Sequence, residues 1–241
     1  MKTTTKFTLL AVLVSLSAFA EVGKVAALEG EASRTPKGGK PEALAAGANI
    51  ELGDTLTVKG NLKFELNDGS VIMLAPNSTL EITEADFEGQ ERKGFKGLLK
   101  AGSLWTKVKK ALGGGGFEVS TERAVAGVRG TIFRIDADAL VKAAKSKQGR
   151  KASIVRVIEG SVGVNPTKAV ADSILKQLKK KQGPRVEVAG PKEVTADEWE
   201  KIFVALSANQ QIAVGVDLWE QAEIEEAVKK DAFAKWIEKN Q

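Results

Sequence analysis

Apolar residues along most of this chain fall in short runs broken by glycine-containing turns. The segments "VAALEGEAS", "LAAGANIELGDTLTV", "LKAGSLWTKV" and "VIEGSVGV" each place one apolar run before a tight turn and another after it. "ALSANQQIAVG" repeats the theme near the end, with Asn209 where glycine would be expected. There is no fixed period, so this is a β-rich chain that turns often and not a strict repeat. The clearest hairpin is "NLKFELNDGSVIMLAPNSTLEI". Leu62, Phe64 and Leu66 alternate with Lys63 and Glu65, giving one apolar and one wet face. Asn67-Asp68-Gly69 supplies residues that tolerate positive φ, so the strand reverses there. Val71 to Leu74 is apolar without alternation, which predicts burial on both faces. Pro76-Asn77-Ser78 ends that run, and Thr79 to Ile82 starts the next. Asp68 alone does not make a calcium site, which gathers six or more oxygens.

Other segments read differently. Residues 84–97, "EADFEGQERKGFKG", predict an exposed loop, and "KKALGGGG" a flexible link. The four glycines are not a phosphate loop, because Phe117-Glu118-Val119 follows where Lys-Ser/Thr and a helix would be needed. Two Ala-, Leu- and Lys-rich stretches, 137–151 and 166–184, predict helical insertions. In the second, Pro166 suits the first turn and Gly183-Pro184 stops the helix. Val170, Ile174, Leu175 and Leu178 form its apolar stripe. Lys176, Lys179, Lys180 and Lys181 load its C-terminal end, where cations complement the helix dipole. Residues 217–241 have acids early and lysines late and predict a C-terminal amphipathic helix. Leu218, Ala222, Phe233 and Trp236 share its broad face, with Trp219 and Ile237 at the side. Such a face docks on the β body by default, and a partner helix is the sharper alternative.

The stretch "AVAGVRGTIFRID", residues 124–136, sets two glycines around Val128-Arg129. A glycine pair with this spacing also occurs in the nucleic-acid-clamping loop of KH domains, but that loop joins two helices. Here Ala124-Val125 precede it, and Ile132 and Arg134 alternate with Phe133 and Ile135 after it. A strand-to-strand corner is expected, with Gly127 and Gly130 permitting the close turn. Arg129 either ties that corner to a carboxylate or carbonyl or projects toward a ligand.

Composition then narrows the chemistry. The 241 residues include no His, no Cys and no Tyr. Nucleophile pairs that need imidazole or thiol, imidazole metal sites, disulfides and lipid-bearing cysteines are therefore excluded. No catalytic, cofactor-binding or metal-ligating residue stands out. The start, "MKTTTKFTLLAVLVSLSAFA", has Lys2 and Lys6, a short apolar core from Phe7 to Leu16 and a small-x-small pattern at Ala18-Phe19-Ala20. That core falls short of the roughly 20 apolar residues of a membrane span. Residues 1–20 are thus expected to be a cleaved signal peptide, with the mature chain periplasmic or extracellular, not membrane-spanning, and without a nucleic-acid role. The formal charge is +5, yet residues 187–241 hold 12 acidic against 6 basic residues, so the positive excess sits in the preceding body. A basic body could bind an anionic partner.

"FEVSTERAVAGVRGTIFRID" followed by "SIVRVIEGSVGV" resembles the closing portion of a FecR domain. Upstream, "LGDTLTV", "FELNDGSVIMLAPNSTLEI" and "LLKAGSLWTKV" resemble its preceding strands in the same order. The likeness covers residues 47–164. It implies a mainly β fold, a FecR-like β-solenoid or stacked-hairpin body, with helical insertions and a C-terminal helix added here. It brings no catalytic residues. The best-known members of that family are membrane-spanning sigma-factor regulators, whereas here an expected signal peptide leads straight into β structure. The expected organisation is a signal peptide at 1–20, a FecR-like β domain at 21–165, a basic helical insertion at 166–184, a β segment at 185–216 and a helix at 217–241.

Three functions follow as expectations. The first is a non-enzymatic exported binding or scaffold protein of the envelope or of a periplasmic assembly such as a flagellar sheath, engaging an envelope protein or anionic envelope polymer. The second is an accessory of extracytoplasmic signalling that senses through a partner. The third is a carboxylate-dependent glycan hydrolase, for which no carboxylate pair stands out. Partner-binding candidates are Arg129, Lys176, Lys179, Lys180, Lys181, Trp219 and Trp236. The mature chain is expected to begin at Glu21, which N-terminal sequencing of the envelope fraction checks.

Overall fold

The computed structural model describes residues 21–111, 114–142, 149–181, 203–216 and 218–241. The first strands are β1 (Glu21–Glu29), β2 (Ala32–Thr35), β3 (Glu42–Ala43), β4 (Asn49–Glu51), β5 (Thr55–Val58) and β6 (Asn61–Leu66). Then come β7 (Val71–Leu74), β8 (Ser78–Glu88), β9 (Glu91–Ala101), β10 (Ser103–Lys107), β11 (Gly116–Ser120) and β12 (Ala124–Val128). After β13 (Ile132–Lys142), β14 (Gly149–Glu159) and β15 (Ser161–Pro166), helix α1 (Lys168–Lys181) follows. The chain closes with β16 (Val204–Ser207), β17 (Gln210–Gly215), β18 (Leu218–Glu223) and two short helices, α2 (Glu226–Lys229) and α3 (Ala232–Asn240).

These strands form two open nine-stranded sheets. The first, sheet A, has the order β4-β1-β6-β7-β10-β13-β14-β17-β18, and the second, sheet B, the order β3-β2-β5-β8-β9-β11-β12-β15-β16. Both advance in the same sense as the sequence, because the chain delivers strands and hairpins to the two sheets by turns. The described pairings are antiparallel except β9 with β11, where β10 crosses to sheet A between them. The expectation of a mainly β body is met, and neither sheet closes into a barrel.

The period of two places alternate residues between the sheets. Leu62, Phe64, Ile72, Leu74, Leu104, Phe133, Ile135, Val155 and Val157 of sheet A enter one core with Leu56, Leu80, Ile82, Phe95, Leu99, Phe117, Val119 and Val162 of sheet B. Phe95 stacks on Phe117 with ring centroids 4.7 Å apart, and Phe117 meets Phe133 of the facing sheet edge-on at 6.4 Å. Such pairs add to the burial of their large apolar areas.

One buried charge binds this layer together. The guanidinium of Arg92, on β9, is fully buried. It is ion-paired with Asp68 in the β6–β7 turn, donates to Ser70 Oγ at 3.1 Å and to the Lys109 carbonyl at 3.0 Å, and lies 5.3 Å from the Phe117 ring centroid. Asp68 also accepts from the Ser70 backbone N–H at 2.8 Å. The turn of a sheet A hairpin is thereby tied to a sheet B strand.

Several sequence expectations meet different outcomes. Val71 to Leu74 is buried on both faces as predicted: Ile72 and Leu74 enter the inter-sheet core, and Met73 faces a second cluster on the other side. Asn67-Asp68-Gly69 turns as expected, with Gly69 at φ +74°. The helix expected at 166–184 forms as α1, with Val170, Ile174 and Leu175 in the core. The loop expected at 84–97 is instead two long strands, β8 and β9, whose ladder runs out to Glu88 and Glu91. The helix expected at 137–151 is likewise overturned where described, since 137–142 and 149–151 are strand in β13 and β14, with Ala139 opposite Ala152 and Leu140 opposite Lys151; residues 143–148 lie outside the described residues. Strand pairing continued from the core outweighs the modest helix preference of Ala, Leu and Lys there. The expected helix over 217–241 begins as a strand: Leu218 to Glu223 pairs with the edge of β17, leaving helix to 226–229 and 232–240.

The corner at 127–130 joins strands as expected, β12 in sheet B to β13 in sheet A. The two glycines differ, however. Gly130 has φ +72°, and an added Cβ would lie 3.1 Å from Lys110 Cβ. Gly127 lies within β12, without positive φ and with nothing within 4 Å of an added Cβ. Gly130→Ala should therefore destabilise by about 1 kcal/mol or more, whereas Gly127→Ala should leave the melt unchanged. Thermal melts of the two variants check this difference.

Candidate partner-binding surfaces

The two sheets present opposite kinds of outer face. That of sheet B carries Thr57, Thr79, Lys96, Glu118, Gly127 and Gly163. Lys96 stands opposite Glu118, Glu118 opposite Gly127, and Gly127 opposite Gly163. Its charges are largely neutralised in place, with Lys96 Nζ 2.6 Å from Glu84 and Lys100 Nζ 2.8 Å from Glu81. A shallow depression of about 330 Å³ lies here, bounded by Glu84, Lys93, Lys96, Glu118 and the bare backbone of Gly116 and Gly127. Arg129 sits exposed at the end of β12, at the rim of the corner.

The outer side of sheet A carries an apolar patch among charged residues, and that patch is covered. Met73 of β7 and Trp105 of β10 form a second cluster with Phe233, Trp236 and Ile237 of α3, with Val71 and Ile132 packed against it. Phe233, Trp236 and Ile237 are spaced i, i+3, i+4 and so project from one side of the helix. The C-terminal helical face thus docks on the β body, as the default expectation held. The two tryptophans named from the sequence do not share it, because Trp219, on β18, packs against the inter-sheet core. A strand in place of the helix's first turns sends them to different clusters.

Beneath and beside α3 lies a charged network. Arg134 of β13 and Arg156 of β14 are directly opposite each other. Asp136 sits between them, 2.9 Å from Arg134 Nε and ion-paired with Arg156. Arg156 Nε also donates to Gln211 at 2.8 Å. Arg134 Nη1 reaches Asp231 at 2.6 Å, and its guanidinium lies 5.2 Å from the Phe233 ring centroid. Asp231 accepts from the Ala234 N–H at 2.7 Å as the N-cap of α3. A cleft of about 230 Å³ opens between α3 and the sheet, lined by Trp105, Arg134, Arg156, Ile158, Ile224 and Ile237.

None of these charged residues was singled out from the sequence, although a signal was present. Alternation in "TIFRID" and "IVRVIE" puts both arginines on outward positions of adjacent strands, an arrangement that calls for an anion between them. Lys176, Lys179, Lys180 and Lys181 fall on α1, but their side chains lie outside the described residues, as does the stretch 143–148.

The buried carboxylates titrate in opposite senses. Burial alone would raise the Asp136 carboxyl, but Arg156 and Arg134 outweigh it and hold the group below the ordinary range. Burial pushes Asp54 above that range despite the Glu51 N–H and nearby Arg34. A depressed folded value means that Asp136 stabilises the fold above the unfolded carboxyl's pKa, near about 3.9. That contribution is lost as pH falls through the lower folded value. Asp136→Asn should cost about 3 kcal/mol at neutral pH, because the nearly buried guanidinium of Arg156 loses its anion and that of Arg134 keeps only Asp231. The gap from the unsubstituted protein should begin to narrow below about pH 3.9 and close as pH falls through the lower folded value, where Asp136 itself is protonated. Urea unfolding at several pH values measures both effects.

Comparison with known proteins adds one firm assignment. No curated protein matches the chain. Two crystal structures of a chain described as a "putative anti-sigma factor" from Parabacteroides distasonis ATCC 8503 are similar, each at 17% identity with a TM-score of 0.45. The similarity covers 76% of this chain but 64% and 63% of those, so this protein spans less than two thirds of their length. Residues 54–163 match the family model of the FecR protein, a span that starts at the turn into β5 and ends within β15. The strands of that span hold most of the shared core and the Arg92 clasp, and it is this part of the chain that is similar to a FecR domain.

Proposed function

We propose that this protein is a non-catalytic, partner-binding FecR module that serves extracytoplasmic signalling. The observation that carries this reading is the FecR domain at 54–163. It favours the signalling accessory over the scaffold or flagellar-sheath protein, for which the family match offers no support. The pairing of carboxylates fits a non-catalytic role: Asp68, Asp136, Asp231, Glu81 and Glu84 each lie against a Lys or Arg. Under this proposal residues 1–20 direct export, and the module acts outside the cytoplasm through a membrane protein that relays its state. Arg129 and the lysines at 176 and 179–181 remain candidate contacts for that partner.

Gly127 offers a clean reporter position, since its outward side is open and its backbone is ordinary. A photo-cross-linking residue placed there, in the native cell, should capture a discrete envelope protein. Deleting the gene should change transcription of a restricted set of genes, restored by complementation. Adducts with envelope polymer alone, together with unchanged transcription, would overturn the signalling reading.

A further inference from the structure

Two crossings from one sheet to the other run side by side at the end of the sheets that carries the Arg92 clasp. The first leaves sheet A after Lys107 and enters sheet B at Gly116, and the second leaves sheet B after Val128 and enters sheet A at Ile132. Val108 N–H donates to the Thr131 carbonyl at 2.9 Å, and a Cβ added at Gly130 would lie 3.1 Å from Lys110 Cβ. Arg129 Nη2 lies 2.9 Å from the position that a Gly114 Cβ would take. The absence of a side chain at Gly130 lets the crossings close on each other. Lys107, Lys109, Lys110 and Arg129 thereby share one exposed surface.

The backbone of this strip is held, while its cations are not. Lys109 N–H donates to Ser70 Oγ at 3.0 Å, and the Lys109 carbonyl accepts from buried Arg92 at 3.0 Å. Among the described residues none of the four side chains has an ion-pair partner. Other exposed lysines do meet carboxylates: Lys59 is 3.0 Å from Glu31, Lys93 3.1 Å from Glu88, Lys96 2.6 Å from Glu84 and Lys100 2.8 Å from Glu81. Cations left together on fixed neighbouring segments repel one another, and an anion laid along them relieves that repulsion.

Acidic groups border the strip on both sides. Gly115 packs on the Arg92 backbone, which leads to Glu88 and Glu91 at the tip of the β8–β9 hairpin, with Lys93 between them. On the other side Glu159 is exposed opposite Ile132, and a Cβ added at the adjoining Gly160 would lie 3.2 Å from the Gly130 carbonyl oxygen. A broad anionic surface such as a membrane would press on these carboxylates as well as on the cations. A narrow chain passes between them. We propose that the two crossings form a docking strip for an extended acidic segment of a protein partner. Its Asp and Glu side chains meet Lys107, Lys109, Lys110 and Arg129, with the planar fork of Arg129 suited to a bidentate carboxylate. This names the surface and the partner chemistry for the partner-binding reading above, on which it rests.

The test uses the full chain and a short fluorescent peptide of alternating Glu and Ser, followed by anisotropy. Binding should weaken at least about tenfold from about 0.1 M to about 1 M salt, because the screening length falls from about 10 Å to about 3 Å. Lys109→Gln/Arg129→Gln should lower the affinity at least about tenfold with an unchanged melt, since both side chains are exposed. Lys107→Gln/Lys110→Gln serves as a second pair on the same strip if the first alters the melt. Lys37→Gln/Lys40→Gln removes the same charge from exposed lysines elsewhere and should change the affinity less than about twofold. Equal losses from the strip pair and the remote pair would mean that net charge alone attracts the peptide, and would overturn the proposal. Absence of binding by the unsubstituted chain would do the same. So would tighter binding to vesicles of phosphatidylglycerol and phosphatidylcholine through the same residues, which would make the occupant a membrane. A failed peptide assay leaves the signalling reading intact, because cross-linking and transcription in the cell decide that separately.

Discussion

A guanidinium without solvent needs its charge and donors met by the protein, and parts of the chain far apart in sequence meet the charge of Arg92 and the donors on its two Nη atoms, leaving Nε without a partner. Asp68 and Ser70 come from the β6–β7 turn, and the Lys109 carbonyl from the segment after β10. This arrangement needs the β6–β7 turn to reach across to β9, and so fixes how the two sheets lie over one another at that point. The aromatic stack of Phe95, Phe117 and Phe133 then has a defined place beside it. Such a pair adds less to net stability than an apolar core of equal volume would. Its consequence is positional, because a misplaced register would strand a charge inside the protein.

The same economy of charge appears on the outer side of sheet A, with a different result. Two arginines forced into opposition by strand pairing are reconciled by Asp136, and Arg134 has a further donor that reaches Asp231. A network that settles strand register therefore also anchors the first residue of the C-terminal helix. Fold and surface are coupled here. The apolar row under α3 is continuous with the sheet, while the helix above it is held by a few side chains and two polar anchors. Among the described residues no helix covers sheet B in this way, and its outer face carries small, hydroxylated and self-neutralised residues.

The match to the FecR family model covers the span 54–163, which contains the middle strands of both sheets. The elements outside that span distinguish this protein. β1 to β4 extend the sheets at one end; β16 to β18 extend them at the other, and α3 crosses back over sheet A. The chain thus has two parts: a β framework that matches the family model, and a C-terminal addition that covers part of one of its faces.

Much of the framework was determined by the sequence itself. The alternation of Leu62, Phe64 and Leu66 with Lys63 and Glu65 dictated a half-buried strand, since a period of two can serve only one apolar face. Asn67-Asp68-Gly69 dictated its reversal, and the unbroken apolar run at 71–74 its burial on both sides. The absence of His and Cys decided what chemistry the protein lacks the groups for. Tertiary structure alone decided the rest. Residues 84–97, 137–142, 149–151 and 218–223 are locally ambiguous or helix-favouring, and became strands because a growing sheet edge offered their backbone hydrogen bonds that solvent or a short helix could not match. That choice separated Trp219 from Trp236 and left a nine-residue helix to cover the sheet. Arg92, Asp136 and Arg156 gained their roles in the same way, because the value of a buried charge depends on partners that only the completed fold brings within reach.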